Sequence, residues 1–121
     1  MPHCILEYSD NIIDKTDNPA ILKNIHDILT ATKLFSLNDI KSRTIIHHDH
    51  LVGDGNPERA FVALTVSFLS GKDESVKKMI SKNCLEILKK SFPLSSEKLK
   101  LSMTVEIREL DKETYLRDKN Y

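Results

Sequence analysis

The sequence predicts an α+β fold in which one βαβ unit occurs twice, giving a four-stranded sheet with two helices on one face. Three observations predict it. Four segments carry strand patterns, and two longer segments place apolar residues at three- and four-residue spacing. The order strand, helix, strand then repeats on either side of the glycine-rich turn Gly53-Asp54-Gly55-Asn56-Pro57. The chain therefore reads as a single domain over residues 1–121, built from two halves of about 1–57 and 58–121.

The first strand covers residues 2–8, where Cys4, Ile5, Leu6 and Tyr8 are apolar, and Ser9-Asp10-Asn11 supplies turn chemistry after it. Asp17-Asn18-Pro19 opens a helix, because a short polar side chain caps the first turn and proline needs no N–H there. Ile21, Leu22, Ile25, Ile28 and Leu29 make one apolar stripe, with Lys23, His26 and Asp27 on the solvent side, so the helix is expected over roughly 18–34. A second strand is expected over about 41–51. Its period of two sends His48 and His50 to one face and His47 and Asp49 to the other. Two histidines on one face could hold an edge of a metal site, but no third ligand is in a matching position, and a solvated strand end explains them as well.

The third strand, Arg59 or Ala60 to Leu69, is packed almost continuously with Phe61, Val62, Leu64, Val66 and Phe68. A strand apolar on both faces belongs at the centre of a sheet or beneath a neighbouring subunit. Ser70-Gly71-Lys72-Asp73 ends it and caps a second helix, on which Val76, Met79, Ile80, Cys84, Ile87 and Leu88 line one side and a row of lysines the other. Pro93 ends that helix and residues 95–98 form a polar turn. The last strand alternates cleanly: Leu99, Leu101, Met103, Val105 and Ile107 against Lys100, Ser102, Thr104, Glu106 and Arg108. The charged tail from Asp111 offers Tyr115, Leu116 and Tyr121 as contacts to a neighbour.

Composition narrows the function classes. Lys plus Arg and Asp plus Glu both number 18, so no net field or basic block favours nucleic acid. No apolar run reaches membrane length and no signal sequence opens the chain, which points to a cytoplasmic protein with neither a membrane nor a nucleic-acid partner. Cys4 and Cys84 sit in apolar patterns and read as reduced core thiols. The right-handed crossover makes the strands within each half parallel and leaves one sheet face uncovered. Identical subunits in a closed ring are the simplest cover for it.

Pro2 stands out. Initiator methionine is normally trimmed before a small residue, which would turn the proline nitrogen into a free secondary amine. An α-amino group titrates near ~8, and burial or positive neighbours lower that, so a fixed amine of this kind suits a general base. A proline that merely opens a strand at a chain end fits the position equally well.

A family resemblance separates the two. Met1-Pro2-His3 runs into Glu7-Tyr8-Ser9-Asp10-Asn11-Ile12. Ala31-Thr32 precedes Phe35, and Ile40-Lys41-Ser42-Arg43, Ala60-Phe61-Val62, Gly71-Lys72 and Glu106-Ile107-Arg108-Glu109-Leu110 follow. With the duplicated βαβ layout, these stretches resemble the tautomerase superfamily, and within it the 5-carboxymethyl-2-hydroxymuconate delta-isomerase family. The resemblance implies a trimer without metal or cofactor that moves a proton within small unsaturated 2-hydroxy or 2-oxo acids from aromatic catabolism. It implies Pro2 as the base and cationic side chains at Lys41, Arg43 and Lys72 holding the carboxylates. The family carries arginine at the positions of Lys41 and Lys72. Lysine keeps the charge but loses the bidentate fork that orients a carboxylate, so the resemblance leaves the particular substrate open. A second reading is a non-catalytic binding or interaction protein on the same scaffold.

Overall fold

The long strand β3, Arg59–Leu69, joins the two halves of the molecule. The computed structural model describes residues 1–121, and its one sheet has the order β2-β1-β3-β4. Strand β1 (His3–Ser9) runs parallel to β2 (Lys41–His47) and antiparallel to β3, and β3 runs parallel to β4 (Lys100–Leu110). Helix α1 (Asn18–Ala31) bridges the first parallel pair; α2 (Glu74–Ser91) and the short α3 (Pro93–Lys98) bridge the second. This is the duplicated βαβ fold that the sequence predicts.

Strand parity decides where the core sits. Ala60, Val62, Leu64, Val66 and Phe68 of β3 are all buried, as are Cys4, Leu6 and Tyr8 of β1. They pack against Ile21, Ile25 and Leu29 from α1 and Ile80, Cys84 and Leu88 from α2. Burial raises the Cys4 thiol to about 11 and the Cys84 thiol to about 12, so both are inert packing groups. The alternate residues form the second face, where Ile5, Phe61 and Ala63 are only half-buried and Ile45 is exposed. Apolar side chains without a covering layer are what the sequence requires of this face.

Three boundaries and the burial of one side chain differ from the sequence pattern, each for a local reason. Helix α1 stops at Ala31 instead of 34 because Lys33 takes a φ of 62°, while the Thr32 hydroxyl donates to the Leu29 carbonyl and accepts from the Leu34 N–H. Strand β2 ends at His47 instead of 51 because β1 offers it no partner beyond Ser9. There the Asp10 N–H closes the ladder onto the His47 carbonyl. Its carboxylate then gathers both His48 (2.9 Å) and His50 (3.0 Å), curling the chain off the sheet. Residues 95–98 are helical, since Pro93, which stops α2, also opens α3. His26 is half-buried instead of solvent-facing, because α1 lies over β2 and its ring nitrogen bonds the Ser42 hydroxyl.

Asp14 fixes α3 from the other half of the chain. Its two carboxylate oxygens accept the N–H groups of Leu94 and Ser95, each at 2.9 Å, and the Ser95 hydroxyl accepts the Ile13 N–H. Burial alone would raise the Asp14 carboxyl, but the hydrogen bonds from Ser95 and Leu94 outweigh it and hold the group below its ordinary range. A depressed carboxyl stabilises the fold above its unfolded pKa, and that stabilisation disappears as pH falls through the folded pKa. Asp14→Ala is therefore expected to cost about 1 kcal/mol at pH 7, with the difference from wild type closing below pH ~4, as read by urea unfolding at several pH values. Lys33→Gly relieves a left-handed residue and is expected to raise stability by about 1 kcal/mol in the same assay. Ile25→Ala, which empties a fully buried site, is expected to lose about 2–5 kcal/mol.

Candidate functional site

The start of β1 is buried before the strand proper begins. Pro2 is fully enclosed, and its carbonyl accepts the Lys41 N–H at 3.1 Å, extending the β1–β2 ladder by one residue. Antiparallel pairing of β1 with β3 sets His3 opposite Ser67, so the chain start lies beside the end of β3. Parallel pairing with β2 sets His3 opposite Lys41. Three strand ends therefore meet at one place.

A cavity of about 370 Å³ opens there, lined by the apolar Leu34, Phe35 and Leu69, by Asp39, Lys72 and Arg117, and by Met1 and Tyr115. The terminal amine of Met1 donates to the Asp39 carbonyl at 3.0 Å, and the Lys41 ammonium donates to the same oxygen at 3.1 Å. Burial first, then the charges of Lys41 and Arg117, hold this amine below the ordinary α-amino value. Lys72 follows Gly71, whose φ of 107° favours a residue without Cβ, and its ammonium stands 5.7 Å from the Phe35 ring centroid. His3 bonds the Tyr115 hydroxyl at 2.9 Å, and its pKa is lowered by burial, then by the terminal amine, Arg43 and Lys41, which keeps the ring neutral at pH 7.

The four residues singled out in the sequence do not all converge. Lys72 lines the cavity. Pro2, buried and next in sequence to Met1, and Lys41, which shares the Asp39 carbonyl with the Met1 amine, are adjacent to the cavity but not in its lining. Arg43 points to the same sheet face as Lys41 but stands two residues further along β2, opposite Ile5 and outside the cavity lining. No group of three or more His, Cys, Asp or Glu side chains is placed to hold a metal ion. His48 and His50 instead share the Asp10 carboxylate.

Sequence reasoning missed Asp39, Tyr115 and Arg117. Asp39 is a junction: its carboxylate meets Lys119 at 3.2 Å, Tyr121 at 3.3 Å and Arg117 at 3.7 Å. The Lys119 hydrogen bond, aided by Arg117, holds its carboxyl below the ordinary range against the effect of burial. The tail lies along its own chain at Tyr115, Arg117, Lys119 and Tyr121 and leaves Leu116 exposed. Its alternation, Tyr115, Arg117, Lys119 and Tyr121, is the signal that could have shown a segment with one docked side. A larger depression of about 530 Å³ lies between α2 and β4, but Lys77 there is already paired with Glu74 and Glu109, and the chain start is remote from it. The smaller cavity is the one with unspent cations beside an amine.

Comparison with known proteins gives the family. The sequence model of the 5-carboxymethyl-2-hydroxymuconate isomerase family matches residues 2–121. The 5-carboxymethyl-2-hydroxymuconate Delta-isomerase of Escherichia coli is 31% identical over 110 residues, spanning 91% of this chain and 87% of that protein. The crystal structure of a 5-carboxymethyl-2-hydroxymuconate isomerase from Deinococcus radiodurans R1 superposes with a TM-score of 0.91 at 26% identity, covering 98% of this chain and 90% of the other. A fused 4-OT that is a symmetric trimer shares the fold alone, with a TM-score of 0.71 at 13% identity over 91% of this chain and 86% of the other. The match from residue 2 to the last residue, together with the Escherichia coli relative, shows that the chain is an isomerase belonging to the 5-carboxymethyl-2-hydroxymuconate isomerase family.

Proposed function

We propose that this isomerase moves a proton within small unsaturated 2-hydroxy or 2-oxo acids, using the Pro2 nitrogen as general base once Met1 has been removed. The observation that carries the reading is the seating of the chain's terminal amine in a cavity with Lys72 and Arg117, next to Lys41. Removing Met1 does two things at once. It frees the Pro2 nitrogen one residue further in, near the cations that depress the Met1 amine, and it takes one residue out of the cavity wall. A secondary amine held there has its pKa lowered by the same burial and charges, which favours the neutral form that accepts a proton.

In the proposed reaction the neutral amine takes the proton from the 2-hydroxyl of a conjugated acid, and the electron pair moves through the chain as a dienolate. The prolinium then returns the proton to a carbon of that chain, giving the 2-oxo isomer of the same composition. The ammonium groups of Lys72 and Lys41 bind the carboxylate and stabilise the dienolate charge. Arg43, further up the open face, adds positive charge toward His3. The reaction draws only on groups of the chain and needs no cofactor.

Assembly belongs to the same proposal. The open sheet face, with Ile5, Ile45 and Phe61, is covered by two further copies in a closed trimer; the fused 4-OT of the same fold is a symmetric trimer. The protein works in the cytoplasm, in keeping with the absence of any helix long and apolar enough to cross a membrane.

Intact mass is expected to show the chain without Met1, and Pro2→Ala is expected to lower kcat for phenylenolpyruvate or 2-hydroxymuconate tautomerisation about a hundredfold. A retained Met1 in an active protein, or equal rates in the two forms, overturns the role of Pro2 and favours an interaction protein. The pH dependence has a definite sign. Activity requires the neutral amine, so kcat/KM rises with pH through the amine pKa. Lys41→Ala removes a positive neighbour, raises that pKa, and shifts the rising limb to higher pH. Lys72→Ala is expected to raise KM for these acids about tenfold with less effect on kcat. Sedimentation equilibrium is expected to give three times the 13.8 kDa chain mass.

A further inference from the structure

We infer that Arg117, carried into the cavity by the C-terminal tail and tethered by Asp39, is a carboxylate-binding residue that sets which acids the site accepts. The inference rests on the cavity being the reaction site proposed above. Arg117 and Lys72 come from different segments of the chain and line the same space, with Leu34, Phe35 and Leu69 forming the apolar wall. An acid with a short carbon skeleton thus meets an ammonium group and a guanidinium as separate anchors along a greasy surface.

The geometry leaves the guanidinium available. Its nearest approach to Asp39 is 3.7 Å, beyond hydrogen-bond length, whereas Lys119 and Tyr121 bond the same carboxylate oxygen at 3.2 and 3.3 Å. Asp39 attracts Arg117 and steers it without consuming its donors. Those donors form the planar fork that pairs with a carboxylate through two parallel hydrogen bonds, which neither Lys41 nor Lys72 can do. Arg117 therefore supplies from the tail the bidentate group that both strand ends lack. Tyr115, two residues earlier, fixes the approach of the tail by bonding His3 next to Pro2.

The test uses the full chain in its native assembly and adipate, a dicarboxylate that cannot react. Titration calorimetry of wild type, Arg117→Gln, Arg117→Lys and Lys119→Gln is paired with the KM and kcat for 2-hydroxymuconate. Arg117→Gln is expected to weaken adipate binding and raise KM, each about tenfold, with kcat changed less than about twofold. Arg117→Lys should recover part of that loss. Lys119→Gln removes another Asp39 contact outside the cavity lining and should leave both quantities near wild type. Unchanged adipate affinity in Arg117→Gln overturns the inference, as does a wild type that does not bind adipate. An equal loss in Lys119→Gln also overturns it, because the tail would then act only as a cover. Adipate binding that depends on Arg117 in a protein without turnover supports the anchor while refuting the reaction, so the two failures are distinguishable.

Discussion

The pairing of β1 with β3 is the contact on which the rest of the molecule depends. It seams two βαβ units into one sheet, and its antiparallel direction brings the first residues of the chain to the end of β3. The parallel β1–β2 ladder then brings the start of β2 to the same corner. Lys41 and Lys72 are 31 residues apart in sequence, yet both reach the chain start because of these two registers. A slip of one residue in either would turn His3 and its neighbours to the opposite face and bury charge in the core.

The core reinforces this arrangement from one side only. Both helices lie over the even residues of β3, whose side chains fill the space beneath α1 and α2. The other face keeps small and medium side chains, Ala63, Thr65 and Ser67, around the half-buried Phe61 and Ile5. Such a surface is mixed, with Glu7, Arg43, Glu106 and Arg108 beside the apolar side chains, and too poor in bulk to be a second core. It suits contact with another sheet of the same kind.

Much of the fold was legible because periodicity carries it. The alternation in β4, the continuous apolar run of β3 and the stripes of both helices each specify one element without outside help. The misread boundaries lie where a distant side chain decides the outcome. His48 and His50 continue the β2 pattern perfectly well, but Asp10 of another segment pulls them away. Residues 95–98 look like a turn until Asp14 binds the start of their helix from across the molecule. In the site the same division holds. Lys41, Arg43 and Lys72 were singled out through the family resemblance, and the topology brings the strand ends that carry Pro2, Lys41 and Lys72 to one corner. Strand rise carries Arg43 away from the cavity. Arg117 was invisible because the route of the tail is set by Asp39, a residue that the pattern assigns only to a turn.

The tail is also the one part of the cavity wall that lies outside the duplicated frame. Every residue after Leu110 can change in length or identity without entering the packed core or the sheet ladder. The frame and this part of the cavity wall are therefore separable in evolution. On the proposed function, drift in the eleven terminal residues would retune which acids are accepted and leave the strand ends untouched.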